Sequence, residues 1–376
     1  SDYTISSLVL ASAGGQTGQL IGTDHLTCNK AAMEFTLEPG QQTASDQKWY
    51  VIGVPFAVDL TTGISANGEA RTYGEDVGVK SFDVTKRAQG QDPWTLLHGG
   101  ELMAGHYYQM AISTDDNVWR FNSKGAIEAN TIHLDAGWNA TANALLQNAM
   151  GSAANVEYAQ TYDFATGGWI VRYLPTTTFP VGAPMLIEAA QEETLALTPA
   201  AKPNEGTDAS VLRYEIQLTQ GVAMDALYIT SHLDATNEYI VGRDVEKTML
   251  TTVPQLYTTA YGKNLCVEDQ PLVQDKAAYT TTFYAPTAGN YVLTANPASQ
   301  DLSLYKDGQK QATLDGPYTL YLNAGVNSGY ELRLNGHLSP TGLSNLKAAR
   351  VAKFIRNGQF FIQHNEQLFD ILGNQH

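Results

Sequence analysis

The stretch Leu212-Arg213-Tyr214-Glu215-Ile216-Gln217-Leu218 alternates apolar with polar residues at every step. Successive side chains of a strand point to opposite faces, so this period of two puts Leu212, Tyr214, Ile216 and Leu218 on one side and Arg213, Glu215 and Gln217 on the other. That is the code of a half-buried antiparallel strand. It returns downstream, where Tyr318, Leu320 and Leu322 alternate with Thr319, Tyr321 and Asn323, and Tyr330, Leu332 and Leu334 alternate with Glu331, Arg333 and Asn335. Between those two runs, residues 324–329 contain two glycines and have the length of a hairpin connection. Asp307-Gly308 and Asp315-Gly316 sit between apolar segments and are expected to supply the positive φ of tight turns. The expected fold is all-β: two antiparallel β-sandwich domains of jelly-roll or immunoglobulin-like type, with one short helix and a C-terminal β-hairpin.

The first half is strand-rich as well, and its strands are more apolar. Residues 49–58 form a nearly continuous apolar run in which Pro55, unable to donate to a ladder, marks an edge or a bulge. Tyr107 to Ile112, Trp169 to Leu174 and Met185 to Ile187 are further strands. The one helix is expected over Asn139 to Met150, where Ala142, Leu145, Leu146 and Ala149 recur at helical spacing and Gly151 supplies a stop. Residues 199–208, with two prolines, a glycine and no apolar periodicity, read as a linker. The domains expected are therefore 1–198 and 209–343, followed by a tail at 344–376 whose two short strands make a hairpin. A hairpin alone is marginal, so the tail is expected to dock on the second domain.

Composition narrows the function. The chain has 376 residues, enough for two domains of ~150–200 residues each. Charged residues make up 16%, below the ~25% typical of globular chains, and Thr, Ser, Asn, Gln, Gly and Tyr fill the gap. This composition fits an extracellular β protein. Lys and Arg total 22 against 38 Asp and Glu, and the net charge of −16 repels phosphate backbones and anionic headgroups, which sets nucleic acid aside as a partner. No window reaches the ~18 apolar residues of a membrane helix, so direct membrane insertion is not expected, and the start at Ser1 reads as a mature or excised fragment. Two cysteines, Cys28 and Cys266, leave room for one bridge at most, and the leading reading of Cys266, in the apolar run 264–267, is a buried thiol.

No pair among the eight histidines has a short metal-ligand spacing, and the nucleophile elbow, the phosphate loop and the thiol-protease signature are all missing from the sequence. Catalytic residues are accordingly not assigned and no cofactor is expected. Calcium is the alternative at Asp115-Asp116-Asn117, which clusters oxygen ligands after the strand ending at Ile112, although a solvated turn is the leading reading. Asp234 with Asn237 and Glu238 is a weaker case of the same kind. Aromatic side chains are the remaining candidates, because flat rings recognise sugar rings without charge. Trp49 and Trp169 lie in apolar runs and are expected in the core; Trp94 and Trp119 lie in more polar stretches and are the expected ligand-binding surface residues.

Several of these stretches together resemble a known family. Trp49-Tyr50, Val54 to Val58, Phe82-Asp83 with Lys86-Arg87-Ala88, Trp94 and Leu102 to Tyr108 are similar to a region of large secreted surface proteins of Bacteroidales such as Prevotella and Bacteroides. Gly137-Trp138-Asn139 with Asn143, residues 179–187, Glu238-Tyr239, Gly242-Arg243-Asp244 and Tyr318 to Leu322 extend the likeness, and Asn357 to Ile362 with Leu368 to Gly373 resembles the end of type IX secretion cargo. The resemblance implies a secreted or outer-surface β-sandwich region with no established catalytic residues. The function expected is a non-enzymatic module for adhesion, display or structural support, with other surface proteins or glycans as partners. A carbohydrate-binding module or a glycan-active hydrolase is the alternative.

Overall fold

A computed structural model describes residues 3–13, 16–17, 26–37, 49–114, 116–125, 131–163, 167–199, 211–336, 338, 352–356, 359–364 and 367–370. Among them nearly all regular structure is β-strand, and the chain is an all-β, sandwich-type fold.

The alternating stretch lies in the strand Val211–Gln220, where Tyr214, Ile216 and Leu218 are buried and Glu215 and Gln217 only half-buried. This strand belongs to an eleven-stranded sheet. Its order runs Gln309–Thr313, Leu302–Lys306, Gly325–Asn335, Lys276–Ala285, Gln255–Ala260, Lys263–Asp269, Ala223–His232, Val211–Gln220, Gly289–Asn296, Tyr318–Leu322, with Val245–Glu246 added beside Lys263–Asp269. Leu302 and Leu304 from one end share a buried cluster with Leu320 and Leu322 from the other, so the sheet folds over on itself around one core. One pairing in it, Ala223–His232 with Lys263–Asp269, is parallel.

The connection at 324–329 is not a hairpin. Tyr318–Leu322 pairs with Gly289–Asn296, whereas Gly325–Asn335 pairs with Lys276–Ala285 and Leu302–Lys306. The two leucine-bearing strands reach the shared core from opposite ends of the sheet, which neighbours in a hairpin cannot do. The Asn327 side chain clasps the crossing, accepting from the Asn323 N–H at 3.0 Å and donating to its carbonyl at 2.8 Å. Asp307-Gly308, with φ of 49° and 78°, does close a tight turn, between Leu302–Lys306 and Gln309–Thr313. Asp315-Gly316 does not adopt positive φ, because the strands on either side of it are not partners.

The first half is layered around an eight-stranded sheet that includes Trp49–Val54, Val77–Phe82, His106–Ile112, Gly137–Ala142, Tyr158–Asp163, Gly168–Tyr173 and Pro184–Ala189. Its strands are covered on both faces, which is why they read as apolar runs rather than clean alternation. Tyr50, Ile52, Tyr108 and Met110 join one cluster, with Trp119 and Phe121 of the strand Val118–Asn122. Met185 and Ile187 join another, with Ile132, Leu195 and Leu197. On the opposite face Val51, Tyr107, Trp138, Tyr158, Trp169 and Leu186 form a third cluster, completed by Ala226, Tyr228, Val245, Cys266 and Val267 from the second half. Pro55 follows the end of Trp49–Val54 and stops that strand.

The helix expected at 139–150 is a strand, a loop and a strand. Gly137–Ala142 pairs along its whole length with Pro184–Ala189. The apolar residues at helical spacing go to different cores: Ala142 to the inter-half cluster, Ala149 to the Met185 cluster, and Leu146 against the Trp119 cluster. A single helix face could not serve three cores. Buried Asn143 fixes the loop, its amide facing the Gln147, Phe179 and Pro180 carbonyls at 2.9–3.0 Å and its carbonyl accepting from the Leu145 N–H. The helix that does form, Val84–Ala88, is capped by Asp83, whose carboxylate accepts from the N–H groups of Thr85 and Lys86.

Both cysteines are free buried thiols, so no bridge joins the halves; burial pushes the Cys266 thiol up to about 12. Pro199 ends the strand Glu193–Pro199, and the rest of the expected linker lies outside the described residues. The tail is a three-stranded antiparallel sheet of Ala352–Arg356, Gln359–His364 and Gln367–Asp370, one strand more than a hairpin, and its strands pair only with one another. No described helix is long and apolar enough to cross a membrane.

Two outcomes follow from this packing. Because the halves share a buried cluster, calorimetry should show residues 49–199 and 211–335 melting in one transition; two separated transitions would contradict a common core. Within Trp49–Val54, a Cβ on Gly53 would meet the Gly182 carbonyl oxygen at 1.9 Å. Gly53→Ala should therefore destabilise by ~3 kcal/mol or more through overpacking, well beyond Gly68→Ala, where φ is +86° but the space around it is open.

Candidate functional site

The shared face of the two halves carries two polar arrangements. The first is a charged clamp. His232, at the end of Ala223–His232, is held by Asp269 Oδ1 at 2.9 Å from its Nδ1, with Glu157 Oε1 at 3.4 Å from its Nε2. Asp269 Oδ1 also accepts from the His232 N–H and the Thr230 hydroxyl, and the Asp269 N–H donates to Asp244 at 2.8 Å. Arg213 donates to Glu157 at 2.5 Å and to the Tyr158 hydroxyl at 2.7 Å, with its guanidinium carbon 3.8 Å from the centre of the Tyr173 ring. Arg243 binds Asp234 through both carboxylate oxygens, and this accounts for the acidic loop at Asp234. Burial alone would lower the His232 pKa, but its bonds to Asp269 and Glu157 outweigh that and push it up to about 9. Burial pushes the Asp244 carboxyl up to about 7 against the backbone N–H bonds that favour its charge. Arg213 and His232 thus pair with Glu157 across the junction of the halves, while His232 Nε2 and Asp269 Oδ2 are buried without a hydrogen-bond partner among the described residues.

The second arrangement is a cavity of about 350 Å³ lined by residues of both halves, among them Lys80, Phe82, Arg87, Asp92, Trp94, Tyr107, Gln109, Trp169, Thr248 and Leu250. Its volume lies at the lower end of the ~300–1,000 Å³ usual for ligand sites, and such sites favour domain junctions. Four aromatic rings converge on it. Phe82 meets Trp94 edge-on at 5.4 Å, Trp94 lies 5.9 Å from Tyr107, and Tyr107 lies 5.3 Å from Trp169. Secondary structure places them: Phe82 ends Val77–Phe82, Trp94 starts the edge strand Trp94–Leu96, and odd-numbered Tyr107 and Gln109 face the inter-half side of His106–Ile112. Arg87 comes from the helix capped by Asp83, with its guanidinium carbon 4.1 Å from the centre of the Trp138 ring. Lys80 Nζ lies 4.2 Å from the centre of the Trp49 ring.

Three buried polar atoms of lining residues, Tyr107 Oη, Arg87 Nε and Thr248 Oγ1, have no hydrogen-bond partner among the described residues. Buried polar groups are nearly always bonded, but further unpartnered atoms, among them Ser231 Oγ, His232 Nε2 and Asp269 Oδ2, lie around the clamp, so it is their place beside four converging rings that sets the cavity apart. A second hollow of about 510 Å³, lined by Tyr73, Leu96, Leu97, His98 and Ile112, lacks that signature; the Tyr73 hydroxyl donates to the Leu97 carbonyl at 2.8 Å.

Of the expected ligand-binding tryptophans, Trp94 lines the cavity and Trp119 does not. Trp119 is fully buried, because period two in Val118–Asn122 turns it inward with Phe121 while its polar neighbours Arg120 and Asn122 face out. Trp169 is in the core as expected, and Trp49 is half-buried beneath Lys80. The calcium alternative loses its central ligand. Asp116 is bound by Arg71 through Oδ2 at 2.8 Å and also accepts from Thr114 and Asn67, and the Arg71 bond holds its pKa down. Asn117 is exposed and Asp115 lies outside the described residues. No group of three or more His, Cys, Asp or Glu suited to a metal occurs among the described residues. The chain matches no family model, no curated protein and no solved structure.

The clamp generates a pH dependence. A histidine whose folded pKa is raised from 6.5 to about 9 contributes stability that is complete below pH 6.5 and is lost as pH rises through 9. Denaturant unfolding of wild type and His232→Gln should therefore differ most at pH 6, and the gap should narrow by pH 9.5; a gap that does not change with pH would show that folding leaves the His232 pKa unshifted, and one that widens with pH would show that folding lowers it.

Proposed function

We propose that this chain is a non-enzymatic binding module of a secreted or cell-surface protein, and that it engages a saccharide through the aromatic cavity. The observation that carries the reading is the cavity itself: rings from Phe82, Trp94, Tyr107 and Trp169 gathered around unpartnered polar atoms at the junction of the halves. Aromatic faces cover the apolar faces of a sugar ring, and a few fixed polar groups read its hydroxyls. Among the lining residues Asp92 is the single carboxylate, whereas glycoside hydrolysis commonly uses a pair, and this favours binding over turnover. The low charged fraction and the resemblance to Bacteroidales surface proteins support a location outside the cell, in a role of adhesion or display.

A glycan array followed by calorimetric titration tests the reading. Saturable binding of at least one saccharide is expected. Trp94→Ala should weaken it by about tenfold or more, ~1.4 kcal/mol, while Trp94→Phe retains most of it. Binding that is indifferent to Trp94→Ala, or no binding across the array, would sink the proposal.

A further inference from the structure

Resting on that reading, we propose that the cavity selects acidic saccharides, sugar rings that carry a carboxylate, with Lys80 and Arg87 as the counter-charges. Arg87 is the observation that points to an anion. The other arginines with described side chains, Arg71, Arg120, Arg172, Arg213, Arg243 and Arg333, each have a carboxylate within ion-pair reach. In a chain with 38 acids and 22 bases, that is the ordinary outcome. Arg87 makes no ion pair among the described residues; it rests on Trp138, and its Nε is buried and unpartnered. Lys80 likewise makes no ion pair and rests on Trp49.

Stacking on a ring holds a cation in place without using its N–H donors, so both side chains keep their hydrogen-bonding capacity for something else. A guanidinium offers a carboxylate two parallel N–H bonds, among the strongest a protein makes. The carboxylate of Asp92, the only one in the lining, already accepts from the Trp94 N–H at 3.1 Å. The lining therefore carries two cations to one anion inside a protein of net charge −16. Tyr107 is 1% exposed, so it is the packing of its ring that shapes this cavity, beneath Trp94 and Trp169. An aromatic surface beside an unpaired guanidinium and an ammonium matches a ring with one carboxylate better than a neutral ring.

The experiment is calorimetric titration of the whole chain with a uronic-acid disaccharide, its methyl ester and the corresponding neutral disaccharide. The acid should bind about tenfold tighter than the ester. In Lys80→Gln and in Arg87→Gln the acid-to-ester ratio should fall toward one, and Arg87→Lys should keep part of the preference, which separates loss of charge from loss of packing on Trp138. Equal affinity for acid, ester and neutral sugar would overturn this inference and leave the saccharide reading standing. A preference for the acid that survives both neutral variants would also overturn it, since the charge would then be recognised elsewhere. If none of the three sugars binds and the array is also blank, both proposals fall.

Discussion

The strand Ala223–His232 is buried along nearly its whole length, and the rest of the architecture depends on covering both of its faces. Leu227 and Ile229 point into the core around which the eleven-stranded sheet folds, while Ala226 and Tyr228 point the other way and complete the cluster supplied by the first half. A strand in this position cannot slip by one residue, because the period of two would exchange its two apolar sets between cores of different shape. Its polar residues must also find partners within the protein. Asp225, 1% exposed, is bound by Lys247 Nζ at 2.8 Å and by the Leu256 N–H. Such a pair adds little net stability over apolar residues of the same size, but removing one member strands a buried charge, so the two side chains depend on each other.

The same two-sidedness builds the cavity. In the first half, the central sheet gives alternate side chains of His106–Ile112 to opposite faces, Tyr108 and Met110 inward and Tyr107 toward the second half. Where strands of the second half cover that face, the side chains close into a core; toward the sheet edge formed by Trp94–Leu96, Thr248 and Leu250 are the described second-half residues that line the cavity. The cavity lies where the cover thins. The helix Val84–Ala88 occupies this margin, and its Asp83 cap fixes the turn that brings Arg87 over Trp138.

Alternation was readable in the sequence wherever one face is solvated, as in Val211–Gln220 and Gly325–Asn335, because there period and burial coincide. It is harder to read where both faces are covered, and over 139–150 the apolar spacing imitates a helix. Ala142, Leu146 and Ala149 have helical spacing by coincidence, each serving a separate core, and the telling residue was Asn143, whose side chain organises a loop. Trp119 was misjudged for a related reason, since polar neighbours at odd offsets are what an inward-facing strand residue should have. Of the cavity, Trp94 was legible as an aromatic in a polar stretch. Lys80, Arg87, Gln109 and Thr248 were not, because nothing in the spacing of residues so far apart says that their strands will share a face. The Asp83 cap was the one local signal that would have placed the true helix and, with it, Arg87.

The two polar arrangements on the shared face differ in how their donors are used. In the clamp, Arg213 meets Glu157, Arg243 meets Asp234, and His232 lies between Asp269 and Glu157, so each cation has an anion supplied by the chain. In the cavity, Lys80 and Arg87 are held by tryptophan rings instead. An aromatic ring offers attraction without a proton acceptor, so it positions a cation and leaves its directional bonds unspent. Burial makes that arrangement costly, since an unpartnered buried donor forgoes a bond it would have made to water. The inter-half face therefore divides into a part whose charged groups pair across the halves and a part whose cations rest on aromatic rings.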